Sequence, residues 1–132
     1  MKNNIVKTLA ATAVLMTVTA ISASAADFES SILTWETSGS VFGGIQSCHE
    51  RIEVVNNTDT TRECRVTLTA FQTDSGRFYD TDTSIVTVPS NGTAWVDVGK
   101  YFADLGNYTV KTFVWDSVTG QPLTAPLTRV FD

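Results

Sequence analysis

The chain has one histidine, two cysteines and three prolines, and beyond its first 25 residues no apolar run longer than a short strand. With His49 alone, neither a Ser-His-Asp triad nor a multi-histidine zinc site can be assembled in the usual way. Cys48 directly precedes His49, and neighbours on a strand point to opposite faces, which excludes a Cys-His catalytic pair there. Basic residues are scarce as well. From Ala26 onward, seven Lys and Arg stand against fourteen Asp and Glu, a net charge of −7. That balance disfavours nucleic acid and anionic membrane surfaces as partners, because both need clustered cations. Helical periodicity is missing too, apart from "KYFADLG", which hints at one helical turn.

What is present begins with a leader. Lys2 and Lys7 form a basic start, Leu9 to Ile21 an apolar core, and Ala23-Ser24-Ala25 a small-x-small cleavage point. The apolar core is too short to span a bilayer, which takes about 20 apolar residues. Residues 1–25 are therefore expected to be a signal peptide. A lipid anchor would need a cysteine directly after the cleavage point, and Ala26 stands there. The expectation is a secreted chain, loosely retained at a surface, with no membrane insertion after cleavage.

Residues 26–132 suit one domain. Apolar residues recur with period two, and turn residues punctuate them at short intervals. Candidate strands run Phe28 to Glu36, Cys48 to Asn56, Glu63 to Thr73, Arg77 to Thr81, Ser84 to Val88, Thr93 to Val98, Tyr108 to Asp116 and Leu123 to Phe131. The stretches "SGSVFGG", "NNTDTT", "DSG", "PSNG" and "SVTGQP" supply the Gly, Asn, Asp, Ser and Pro of turns. Short strands without intervening helices predict an all-β fold, a two-sheet antiparallel β-sandwich of about seven to eight strands.

Asp104-Leu105-Gly106-Asn107-Tyr108-Thr109-Val110 resembles the D-x-G-x-Y-x-C stretch of immunoglobulin-like domains, with Val110 in the cysteine position. That resemblance implies an immunoglobulin-like sandwich in which Asp104 and Tyr108 are structural, the tyrosine pinning a corner at the start of a strand. "NNTDTTRECRVTLTAFQTDSGRFYD", "VPSNGTAWVDV" and "YTVKTFVWDSVTGQPLT" are together similar to small immunoglobulin-like or fibronectin-III-like β-sandwich modules of secreted and surface proteins of Gram-positive bacteria. The similarity covers roughly Ile52 to Thr124. It implies an accessory or display module.

Cys48 and Cys64 both point inward in this strand pattern, and an exported chain meets an oxidising environment, so one disulfide is expected between them. A tight "NNTDTT" turn would set Cys48 opposite a residue near Leu68, so the bridge needs an irregular connection or a bulge. The carboxylate pairs Asp80 with Asp82, and Glu50 near Glu53, read as solvated charge rather than glycosidase machinery. Neither a cofactor nor a metal is expected. If Val110 and Val114 face a core, then Lys111, Phe113 and Trp115 face out. In an immunoglobulin-like sheet these lie beside Arg65, Thr67, Thr69 and Phe71. Phe71, Lys111, Phe113 and Trp115 are accordingly the candidate binding residues, for a protein or a glycan at the cell surface. The functional expectation is a secreted non-catalytic module acting in interaction or structure; the alternative is a carbohydrate-binding module using the same aromatic face.

Overall fold

The structure, a computed structural model, describes residues 26–39 and 45–131, with the side chains of Asp104 and Leu105 excepted. The signal-peptide expectation and the role given to the Asp104 side chain lie outside what is described. Seven strands form two antiparallel sheets. In chain order they are β1 (Phe28–Gly39), β2 (Ile45–Asn56), β3 (Arg62–Gln72), β4 (Phe78–Val88), β5 (Gly92–Gly106), β6 (Tyr108–Asp116) and β7 (Leu127–Phe131). One sheet has the order β1-β2-β5 and the other β4-β3-β6-β7. This is the two-sheet antiparallel β-sandwich that the strand pattern predicts, and its immunoglobulin-like arrangement is the one that the resemblance implied.

Alternation makes the core. Ile52 and Val54 of β2 face Val66, Leu68 and Ala70 of β3 and Val110 and Val114 of β6, all at most 1% exposed. Burying a branched aliphatic side chain stabilises a fold by about 1.5 to 3 kcal/mol. This row therefore supplies much of the force that holds the two sheets together. Tyr79, Phe102 and Tyr108 close one end of the sandwich, with centroids of Phe102 and Tyr108 4.0 Å apart. At the side, Trp35 of β1 stacks on Phe131 of β7 at 4.6 Å.

Several expected boundaries move, the last strand beginning at Leu127 rather than Leu123. Arg77–Thr81 and Ser84–Val88 are one strand, β4, which keeps a continuous register from Arg62↔Val88 to Ala70↔Asp80. Polar groups in its middle have partners that sequence spacing does not show: Asp82 Oδ2 accepts from the Gly99 amide at 2.9 Å, and Ser84 Oγ donates to the Asp97 carbonyl at 3.1 Å. These side chains engage the outer edge of β5, and Lys100 Nζ meets Asp80 Oδ2 at 2.5 Å beside them. "KYFADLG" is likewise strand rather than a helical turn. Lys100 is drawn to Asp80 and Phe102 into the aromatic cluster, which keeps this stretch extended.

The connection between β2 and β3 crosses from one sheet to the other and is not a hairpin. Asn56 organises it from a fully buried position. Its amide nitrogen donates to the carbonyls of Thr60 and Val88, and its oxygen accepts from the Thr58 amide and hydroxyl. The crossing decides the fate of the cysteines. Cys48 lies eight residues before Asn56, about 26 Å at the rise of a strand, whereas Cys64 lies two residues past Arg62. The expected Cys48–Cys64 disulfide is not formed, and both are buried free thiols. Burial first, and Glu50 second, push the Cys48 thiol up to about 11. Such a thiol is a poor nucleophile.

Candidate functional site

β3 and β6 are neighbours in the four-stranded sheet, in the register Arg65↔Trp115, Thr67↔Phe113, Thr69↔Lys111 and Phe71↔Thr109. Inward residues of β6 alternate with these: Val114 is 1% exposed while Trp115 is only half-buried. The candidate binding residues Phe71, Lys111, Phe113 and Trp115 thus share one outer face. Phe113 and Trp115 stack with centroids 5.5 Å apart and planes 27° from parallel. Lys111 Nζ lies 5.9 Å from the centroid of Phe71, whose edge meets Phe78 at 6.3 Å.

Sequence reasoning missed the rest of this face. Ile85 of β4 sits opposite Arg65, Phe78 opposite Phe71, and Val130 of β7 opposite Thr109. All three are more than half exposed. The threonines between them pair across strands, Thr67 with Thr83 at 3.2 Å and Thr69 with Thr81 at 3.5 Å. A flat surface results, with apolar groups on all four strands and hydroxyls between. The signal for Ile85 was the alternation within "TSIVTV", hidden by splitting β4 into two.

Tyr108 stands where the chain passes from β5 in one sheet to β6 in the other, the place expected of a corner tyrosine. It is 2% exposed and packs against Phe102 and Tyr79, and the Thr73 amide donates to the carbonyl of the preceding Asn107. Asp116 ends β6. Its Oδ1 accepts from the amides of Val118 and Thr119, and Arg62 reaches Oδ2 at 2.6 Å. These amides first, and Arg62 after them, hold its carboxyl below the usual range. The "WDS" stretch is explained in this way: the tryptophan serves the outer face and the aspartate builds the turn that follows.

Glu50 does not pair with Glu53 as solvated charge. Alternation along Cys48, Glu50, Ile52 and Val54 turns it inward, where it is fully buried. Thr112 of β6 donates to its Oε1, and Oε2 has no hydrogen-bond partner among the described residues. Burial raises its pKa, opposed by Thr112 and by the charges of Arg129 and His49. Asp80 is occupied by Lys100, and Asp82 by the Gly99 amide.

The other sheet's outer face carries groups to which no role was given in advance. Glu36, His49 and Gly99 face one another across β1, β2 and β5, and Arg51 pairs with Asp97 one step further on. No group of three or more His, Cys, Asp or Glu able to hold a metal occurs among the described residues. Among the described residues no helix is long and apolar enough to cross a membrane.

No protein-family model matches the chain, and no curated protein matches it. Solved structures do. A β-glucuronidase of Bacteroides uniformis aligns over 80% of this chain at 16% identity and a TM-score of 0.56. A β-glucuronidase from glycoside hydrolase family 2 aligns over 76% at 13% identity and TM-score 0.52, and a β-glucosidase of Kluyveromyces marxianus over 80% at 13% and 0.51. The likeness is one of fold. The chain spans only 13%, 11% and 14% of the length of these proteins, respectively.

Proposed function

We propose that the mature chain is an exported, non-catalytic β-sandwich module that binds a protein partner at the cell surface through the outer face of β4-β3-β6-β7. One observation carries this reading: the outward, half-buried Phe113–Trp115 stack and Phe71 are flanked by the exposed Phe78 and Ile85 of β4 and Val130 of β7. Monomeric proteins rarely expose contiguous apolar surface of that kind unless it contacts something. Ile85 and Val130 favour a protein partner over a glycan. Aliphatic side chains beside the rings match a protein surface better than the hydroxyl-rich edge of a sugar. Lys111 and Arg65, on a chain otherwise rich in carboxylates, offer cations to an acidic partner.

Several features support a role without catalysis. Glu50 is buried in the core and Asp80 and Asp97 are held in ion pairs, so these carboxylates are engaged within the fold. The glycosidases with a similar fold match over a small part of their length, which suits an accessory domain rather than a catalytic one. The resemblance to bacterial surface modules and the leader at residues 1–25 support export.

The test is saturable binding of the labelled mature domain to cell envelopes of the producing organism, before and after protease treatment. Phe113→Ala and Trp115→Ala are expected to weaken binding about tenfold or more, and protease to abolish it. Equal binding by wild type and both variants would remove the reading, and protease-resistant binding would replace the protein partner with a glycan.

A further inference from the structure

The outer face of β1-β2-β5 differs in chemistry from the face just described. Along β5, Trp95, Asp97, Gly99 and Tyr101 point outward in turn, opposite Glu53, Arg51, His49 and Ser47 of β2. Trp95 is 53% exposed and Tyr101 82%. They lie six residues apart, about 20 Å along an extended strand. Between them the surface is polar and held in place. The Arg51 guanidinium lies 3.7 Å over the Trp95 ring, and both oxygens of Asp97 grip it at 2.9 and 3.0 Å. At Gly99 a Cβ would come within 2.9 Å of the Cys48 carbonyl and 3.3 Å of the His49 ring, so only glycine lets that ring settle against the strand. A cavity of about 830 Å³ opens at the Tyr101 end, with Glu36, Ser47 and His49 in its wall.

We infer that this face binds an extended, uncharged glycan chain lying along β5. Two exposed rings at the ends can stack on sugar rings, and the Arg51 and Asp97 groups fixed to each other between them, with His49 and Glu36 beside them, can donate to and accept from hydroxyls. Ordering such groups beforehand lowers the cost of binding. Charge selects within the class: Glu36, Glu53 and Asp97 outnumber Arg51, so uronate or sulfated chains are repelled. Along the track from Trp95 to Tyr101 and the β2 residues opposite it no side chain is aliphatic, which separates this track from the face proposed to bind protein, and the two inferences stand independently.

Isothermal titration of the mature domain with tetra- and hexasaccharides of glucose, xylose, mannose and N-acetylglucosamine tests it, with an oligouronate and a cationic peptide as controls. At least one neutral series is expected to bind, more tightly as the hexasaccharide. Tyr101→Ala and Trp95→Ala should each weaken that binding about tenfold or more, and Trp115→Ala should leave it unchanged. If Trp95→Ala unfolds on losing its arginine stack, Tyr101→Ala, at a site without ring contacts among the described residues, carries the test alone. Absence of binding by every neutral series at millimolar concentration would overturn the inference. So would equal binding of the oligouronate, binding of the cationic peptide alone, or loss on Trp115→Ala with Tyr101→Ala intact.

Discussion

Glu50 is the residue whose behaviour departs furthest from its sequence neighbourhood. Its alternation with Ile52 and Val54 pointed it inward, yet a lone core carboxylate looks implausible until Thr112, on the other sheet, is known to meet it. Because burial raises its pKa, the folded chain holds a proton that the unfolded chain releases above about 4.5. The stability tied to that proton is full below this value and falls as pH rises toward the raised folded value. Glu50→Gln removes the titration and keeps the shape. Its unfolding midpoint, relative to wild type, should climb as pH rises above about 4.5; parallel curves would contradict this. Cys48 and Cys64 make a simpler case. The intact mass should be that of two free thiols and reductant should leave the unfolding midpoint unmoved, whereas a mass lower by two hydrogens would mean a bridge. Tyr108→Phe, which keeps the ring among Phe102 and Tyr79, should cost about 0.5 to 1.5 kcal/mol in a denaturant melt.

Among the elements, β6 was the most legible, because nine residues of strict alternation fix both of its faces once Val110 and Val114 are inside. Val114→Ala removes buried methyl groups and should cost about 2 kcal/mol. Trp115→Ala, half-buried against Phe113, should cost about 1 kcal/mol or less, with its main effect on binding. A melt that ranks the two in the opposite order would mean an inverted register. Strands β4 and β5 were less legible because long-range partners shape them. Asp82 reads as a turn residue on its own, and its pairing with Leu68 of β3 together with the Gly99 amide of β5 makes it part of a strand. Lys100 and Phe102 suggested a helical turn for the same reason, since their partners Asp80, Tyr79 and Tyr108 are distant in sequence or across the sandwich. Asp82→Ala should loosen the β4–β5 seam, seen as faster amide hydrogen exchange at Gly99.

At the scale of the molecule, fold class followed from period-two patterning and turn spacing, while the assignment of strands to sheets did not. The disulfide expectation failed at that step: Cys48 and Cys64 are close in sequence, but β2 and β3 belong to different sheets and the two thiols are not joined. The aromatic face was legible as far as it lay on β3 and β6. Its extension over Ile85, Phe78 and Val130, and the whole of the Trp95–Tyr101 track, needed the sheet order. The three tryptophans now report separate regions: Trp35 the closed side of the sandwich, Trp95 the outer face of β1-β2-β5, and Trp115 the face proposed to bind protein. Their indole N–H signals, followed by NMR as solubilised envelope protein is titrated into the mature domain, test that binding face most directly. The Trp115 signal should shift or broaden to saturation while those of Trp35 and Trp95 stay in place; a saturating titration that leaves Trp115 unmoved would contradict the assignment.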